Sequence, residues 1–373
     1  MMIGMRQIGP DDPPYVIAEI GVNHDGSVDR AMALTDAAAD AGADAIKLQL
    51  FRADLLMSKA ARLAAYQRSA GESDPIEMLR RLELSIDQMA PIVQRAHARG
   101  IHAIVTVFSV ELADGAERLP WDAYKTASPD IVHRPLLDRL AATGKPMIVS
   151  TGASTMEEVA RAVEWLAPAR NRLVLLQCVS SYPTPIENAE LGGIAALRSA
   201  FPGLPIGYSD HTEGEGTCID AVNIGACVLE KHLTHSRRAA GPDHAASLES
   251  ANLALYVLNA RGTHAVRAVA AMGTAGLPGD LPEHLALALT PGPGVLPVKR
   301  VLDIERDVRA ASRQSITALR PLPAGHVIAR GDLTFKRPGT GIPPFELDRV
   351  LGRSLARPAE MDMPLEEAHL APR

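Results

Sequence analysis

Two lysines, Lys47 and Lys125, stand inside short, largely apolar runs, Ala45–Leu50 and Ala123–Ala127. A lysine in such a run must meet a partner or a ligand, because burying an unpaired charge is costly. Two of them with hydroxyls close by describe a site for a phosphate or a carboxylate. The alternative is that each pairs with a carboxylate of the same layer, Glu19 or Glu230. Two histidines, His211 and His232, fall in Gly207-Tyr-Ser-Asp-His-Thr212 and Glu230-Lys-His232, at the ends of consecutive apolar runs. Two converging imidazoles, completed by water and substrate oxygens, suit a divalent metal such as Mn2+, Mg2+ or Co2+. Taken singly, a histidine at a strand end is more often a satisfied core or rim residue. Glu19 fits a general acid or base, or the structural partner of a lysine, and spacing leaves both open.

The elements that must carry these residues follow one pattern. A short β-rich apolar run, a polar loop and a helix-like stretch alternate along the chain. The runs are Tyr15–Ile20, Ala45–Leu50, His102–Val107, Ala123–Ala127, Pro146–Ser150, Leu173–Val179, Ile206–Tyr208 and Cys227–Leu233. Between them, stretches such as Asp29–Ala41, Ile86–Arg99, Ile131–Ala142, Met156–Ala167 and Glu190–Phe201 repeat apolar residues at helical spacing. Gly42, Gly100, Gly144 and Gly225 stand where helices should stop. Such alternation implies parallel strands with crossover helices. Eight repeats within about 250 residues predict an α/β fold closed as a (β/α)8 TIM barrel, with an open doubly wound sheet as the alternative. In a barrel the chemistry gathers at the C-terminal strand ends, and every one of the eight ends here carries polar residues.

The pattern changes after about Arg261. Residues 273–297 are rich in Gly and Pro and read as linker. The expected division is a catalytic barrel over 1–262, a linker over 263–310 and a small irregular β-rich domain over 311–373 that leans on a barrel for stability. Across the 373 residues, 47% are hydrophobic, 22% are charged and the net charge is −6, an ordinary globular composition with no cause to expect nucleic acid as partner. The three cysteines, Cys178, Cys218 and Cys227, have no C-x-x-C spacing, which argues against a disulfide framework or a thiolate zinc site. Residues 1–12 lack the apolar stretch of a signal peptide, and no run reaches membrane-spanning length, so a cytoplasmic location is the expectation. No dinucleotide or nucleoside triphosphate fingerprint is present.

Taken in order, the strand-end motifs resemble the N-acetylneuraminate (sialic acid) synthase family, which includes legionaminate and pseudaminate synthases. The stretches that carry the resemblance include Ala18-Glu-Ile-Gly-Val-Asn-His-Asp-Gly26, Gly42-Ala-Asp-Ala-Ile-Lys-Leu-Gln49, Glu77-Met-Leu-Arg-Arg-Leu-Glu-Leu-Ser85, Thr143-Gly-Lys-Pro-Met-Ile-Val-Ser-Thr-Gly152 and Tyr182-Pro-Thr-Pro185. Gly207-Tyr-Ser-Asp-His-Thr212, Glu230-Lys-His-Leu-Thr234, Gly241-Pro-Asp-His244 and Lys336-Arg-Pro-Gly-Thr-Gly341 complete the set. The last looks like the family's C-terminal antifreeze-protein-like (SAF, β-clip) domain.

The resemblance implies a domain-swapped homodimer in which each C-terminal domain caps the partner's site. It implies that His211 and His232 hold a divalent metal, Mn2+ first, and that Lys47, Thr106, Lys125, Ser128, Ser150 and Ser209 bind phosphoenolpyruvate. Gln49, Asp130, Tyr182 and Asp243 would contact an N-acylated amino sugar or order the site; Glu19 would transfer a proton or place a water; Arg337 of the other protomer would read the N-acyl group. The implied acceptor is N-acetylmannosamine or a bacterial di-N-acetylated analogue, and Ala65-Tyr-Gln-Arg68 looks nearer the neuraminic and legionaminic branches than the pseudaminic one. The chain departs from the family pattern at Ser128-Pro129-Asp130, Gln177 and Ser236. Two other readings stand beside this one: a barrel condensing phosphoenolpyruvate with an aldose phosphate, and a sugar-binding relative without turnover.

Overall fold

The computed structural model describes residues 1–271 and 296–372. Eight parallel strands close into a barrel: β1 (Tyr15–Glu19), β2 (Ala45–Leu50), β3 (His102–Val107), β4 (Ala123–Thr126), β5 (Met147–Ser150), β6 (Leu173–Cys178), β7 (Ile206–Asp210) and β8 (Val228–His232). The ring closes where His232 of β8 stands beside Glu19 of β1. Crossover helices cover the outside: α1 (Val28–Asp40), α2 (Ile86–Ala98), α3 (Val110–Ala116), α4 (Arg134–Ala141), α5 (Met156–Trp165), α6 (Gly192–Ala200), α7 (Thr217–Ile224) and α8 (Ser250–Ala271). Each expected strand is present, with ends shifted by at most a few residues. No helix among the described residues is long and apolar enough to cross a membrane.

Strand alternation sorts the side chains into two cores. Val16, Ala18, Ile46, Leu48, Val105 and Val149 face the helices. Their neighbours Tyr15, Ile17, Ala45, Ile104, Ile148 and Val174 fill the barrel's interior. The N-terminal hairpin (Met2–Ile3 with Arg6–Gln7) closes the floor, sending Ile3 and Ile8 into that inner cluster. Two residues further along six of the strands, the inward position turns polar: Ile17 gives way to Glu19, Ala45 to Lys47, Ile104 to Thr106, Ala123 to Lys125, Ile148 to Ser150 and Val228 to Glu230. The barrel is therefore an apolar plug with a charged layer on top.

The C-terminal domain has its own small core, with Ile316 of β9 (Ser315–Ala318) against Phe335 of β10 (Leu333–Lys336), antiparallel, and Val350 and Leu365 beside them. It sits over the barrel mouth. The boundary expected at 262 falls inside α8, which runs to Ala271 because Leu253, Tyr256, Val257 and Ala260 pack on the barrel. The linker expected over 263–310 is also partly helical at its far end, with a 3-10 turn at Asp303–Glu305 and α9 (Arg306–Ser312). Most of the Gly/Pro-rich stretch lies outside the described residues.

Gly207 of β7 shows how tightly the barrel is drawn. A Cβ there would lie 2.2 Å from the Val228 carbonyl oxygen and 2.6 Å from a Leu176 methyl. Gly207→Ala should therefore destabilise the protein by about 1–3 kcal/mol, measured as a lower urea midpoint with unchanged slope; an unshifted midpoint would show that β7 and β8 have slack.

Candidate active site

The charged layer and the strand-end loops enclose one cavity of about 910 Å³, its open mouth included. Of the residues singled out from sequence, Lys47, Gln49, Thr106, Lys125, Ser128 and Ser150 line it from the first five strands. Tyr182, Ser209, His211, His232, Asp243 and Arg337 line it from the remaining strands, their loops and the cap. Strand geometry explains the grouping, since each of the strand residues occupies an inward position near a C-terminal end.

The two lysines are held by two glutamates. Lys47 Nζ forms an ion pair with Glu19 and lies 3.7 Å from Glu230 Oε2. Lys125 Nζ lies 3.4 Å from Glu230 Oε1 and donates to Ser150 Oγ at 2.6 Å. Lys47 also donates to Thr106 Oγ1 at 3.1 Å, and Ser209 Oγ donates to Glu230 Oε1 at 2.9 Å. Burial alone would raise Glu230, but Lys125 and Lys47 outweigh it and hold the carboxyl at about 2. Burial, with the nearby Glu230 charge, pushes Glu19 up to about 7 against the pull of Lys47 and the hydrogen bond from Gln49. Lys125 is lowered by burial, which its one nearby carboxylate does not fully offset. The layer thus stands charge-balanced, with Lys125 the cation least well paired and most in want of an anion.

Glu19 is fully buried and does not line the cavity. It lies beneath, paired with Lys47 and accepting from Gln49 Nε2 at 3.1 Å. Of the two roles its sequence position leaves open, this geometry realises the lysine partner. Asp130 is likewise buried below the surface of the cavity. The Ser128-Pro129-Asp130 segment winds into a 3-10 turn, where Pro129 costs no hydrogen bond, and Asp130 accepts from Gln314 Nε2 at 3.2 Å. Burial pushes Asp130 up to about 7. Gln177 points away from the cavity and donates to the Glu190 carbonyl at 3.0 Å.

The rings of His211 and His232 are 5.3 Å apart, a spacing at which one nitrogen of each can reach a common cation. His211 Nδ1 is tied to the Val179 carbonyl at 2.8 Å, which leaves Nε2 as the free nitrogen. His232 Nδ1 is buried without a hydrogen-bond partner, 3.7 Å from Asp243 Oδ2. Burial holds His232 well below its ordinary pKa, whereas His211 is raised, because Cys178 and the Val179 carbonyl outweigh its burial. Among the described residues no cluster of three or more His, Cys, Asp or Glu could hold a metal. Two imidazoles alone would leave most positions of such a cation to water or other ligands.

The cap completes the mouth. Arg337 reaches the cavity from the same chain, where the resemblance placed it on the partner, and Ser58 donates to its carbonyl at 2.7 Å. Its guanidinium lies 5.5 Å from the Phe108 ring centre. Sequence reasoning weighed Glu230 only as a lysine partner and left Ser180, Cys178, Tyr66 and Gln314 out of the site. Glu230 shares the i, i+2 inward register with His232, a signal that was available. Ser180 lines the cavity with its hydroxyl unpartnered. Tyr66 stacks on Tyr182 at 5.0 Å.

Because Glu230 serves both lysines, Glu230→Gln should cost about 3–5 kcal/mol of stability in the metal-free protein. Its folded-state pKa is depressed, so the wild-type advantage should be full above about pH 5 and shrink as pH falls from the unfolded value of 4.5 toward 2. Urea titrations of both proteins across that range check it; a difference that does not change with pH would remove Glu230 from the pairing.

Comparison with known proteins matches both parts of the chain. The NeuB family profile matches residues 34–271 and the SAF domain profile matches residues 313–371. An uncharacterised protein of Methanocaldococcus jannaschii is 35% identical over 361 residues, covering 96% of this chain and 95% of its own. N,N'-diacetyllegionaminic acid synthase of Legionella pneumophila is 34% identical over 360 residues, covering 95% and 93%. The crystal structure of spore coat polysaccharide biosynthesis protein SpsE from Bacillus subtilis superposes with a TM-score of 0.80 at 29% identity, covering 100% of this chain and 99% of that one. With its barrel and its cap each matched in order, the chain belongs to the NeuB family and carries that family's barrel followed by a SAF domain.

Proposed function

We propose that this protein is a nonulosonic acid synthase: it condenses phosphoenolpyruvate with the open-chain form of an N-acylated amino sugar and releases phosphate. The acceptor is N-acetylmannosamine or a di-N-acetylated analogue, and similarity to a legionaminic acid synthase favours the second. The single observation that carries the reading is the meeting of Lys47, Lys125, His211 and His232 on one cavity.

On this reading Lys47 and Lys125, with the hydroxyls of Thr106, Ser128, Ser150 and Ser209, bind the phosphate and carboxylate of phosphoenolpyruvate. Glu19 and Glu230 keep both ammonium groups charged and aimed upward. His211 and His232 would hold a divalent cation, Mn2+ with Mg2+ or Co2+ as alternatives, which when bound supplies Lewis-acid polarisation of the sugar aldehyde. Tyr182, Gln49, Asp243 and Arg337 orient the sugar, with Arg337 on its N-acyl group. The enol carbon then attacks the aldehyde carbon, forming the carbon–carbon bond, and the aldehyde oxygen takes up a proton. Water adds to the cationic carbon left behind, and carbon–oxygen cleavage expels phosphate. Holding both reactants face to face supplies most of what a bimolecular step needs.

Phosphate release should be measured with phosphoenolpyruvate, Mn2+ and a panel of N-acyl hexosamines and aldose phosphates. Turnover with an uncharged N-acyl sugar is expected. Turnover with only an aldose phosphate would favour the other condensing reaction, and silence throughout would favour a binding protein. His211→Ala should abolish metal-dependent turnover while the protein stays folded.

The proposal includes a dimer in which the cap and the Leu302–Arg313 segment, docked here on their own barrel, make the same contacts with the partner's barrel. Lys47→Met and Arg337→Ala variants, each inactive alone, should recover roughly a quarter of wild-type activity when unfolded and refolded together, because half the chains then form mixed dimers with one intact site of two. No recovery would mean that each cap serves its own barrel.

A further inference from the structure

The segment Leu302–Arg313, expected as linker, is built into the mouth of the barrel. Glu305 is 1% exposed. Its Oε1 accepts from Ala153 N at 2.6 Å and from Ser180 N at 2.8 Å, while Oε2 accepts from Leu302 N at 2.9 Å. Ala153 lies just past β5 and Ser180 just past β6, in turns that sit beside cavity residues Ser150, Cys178 and Ser180 itself. Ala153 has φ +49°, a left-handed conformation that a residue with a Cβ keeps only where its surroundings over-determine it. Here they do: Glu305 takes its N–H, and Arg309 and Arg313 both donate to its carbonyl. The same two arginines grip Glu158 at the start of α5, at 2.8 and 2.7 Å.

The other flank of the segment reaches the loop after β2. Asp307 Oδ2 accepts from Ala65 N at 2.5 Å, and Val308 and Ala311 pack with Ala64 and Tyr66. One short segment therefore touches the loops after three strands. Glu305 is its innermost group. Two buried N–H groups from separate turns converge on one of its oxygens, and without it both would be left unpaired. A carboxylate is also the acceptor that gives the shorter, stronger bonds seen here.

We propose that Glu305 is a positioning residue for the phosphoester side of the site: it locks the turns after β5 and β6 to each other, so that the pocket takes its binding geometry when the Leu302–Arg313 segment is docked. This rests on the proposed donor, phosphoenolpyruvate. Glu305→Ala should speed amide hydrogen exchange at Ala153 and Ser180 by about tenfold or more and leave the barrel strands protected. In turnover, its KM for phosphoenolpyruvate should rise by about tenfold while the KM for the sugar stays within about twofold. Glu305→Gln, whose amide oxygen can replace Oε1, should restore most of both. Unaltered exchange at the two amides would overturn the lock. Exchange loosened throughout the barrel, or both Michaelis constants moving together, would reduce Glu305 to general stability and overturn its role in positioning. A wild-type chain that turns over no phosphoenolpyruvate would overturn the donor reading, while the exchange measurement still decides the lock.

Discussion

Two ammonium groups buried inside a closed barrel impose the arrangement of everything around them. An unpaired lysine at this depth would lose its proton or unfold its surroundings. Glu19 and Glu230 prevent both by standing on strands β1 and β8, which adjoin at the barrel's seam. Glu230 is the pivot, because it lies within 4 Å of both lysines (3.7 and 3.4 Å) whereas Glu19 serves only Lys47. Burial of a charge-balanced quartet is poor stabilisation in itself, since the desolvation of four ions offsets most of their attraction. For the proposed reaction its use is a preorganised pair of cations that meets an anionic substrate without rearranging.

The histidine side follows a different rule. His211 and His232 occupy the next inward positions above Ser209 and Glu230, so the parity that puts hydroxyl and carboxylate in the lower layer puts imidazoles in the upper one. Their outward neighbours are Asp210 and Lys231, both fully buried and 3.1 Å apart between barrel and helices. Lys231 also donates to the Thr212 carbonyl at 2.6 Å. The two strands that carry the imidazoles are thus pinned to each other on their far side as well as through the ladder.

How much of this could be read from the chain depends on whether the cause is local. Strand parity is local, so the eight strands and the inward set from Lys47 to His232 were legible from apolar runs with polar ends. Depth within the barrel is not local. It is fixed by the stagger of neighbouring strands, so nothing near Glu19 or Asp130 told that both sit beneath the cavity rather than on it. The cap contacts are less local still. Gln314 meets Asp130, and Glu305 meets Ala153, across separations of more than 150 residues. Glu305 in particular lies in a stretch that follows a Gly/Pro-rich region and has no periodicity long enough to announce a helix.

A division of labour follows for the proposed reaction. On the phosphoester side Lys47, Thr106, Lys125, Ser150 and Ser209 are strand residues placed by the hydrogen-bond ladder, and the turns after β5 and β6 beside them are joined by Glu305. On the acceptor side Gln49 comes from β2, while Tyr182 and Asp243 stand on loops and Arg337 on the cap, and Tyr66, stacked on Tyr182, is steadied by the contact of Asp307 with Ala65. Loops tolerate substitution far better than barrel strands. A barrel that fixes its lysine layer through the strands and draws most of the sugar's pocket from loops and cap can accept a different sugar without disturbing that layer. On that argument the choice of sugar lies in the stretch around Tyr66 and in how the cap meets it, and the lysine–glutamate layer is indifferent to it.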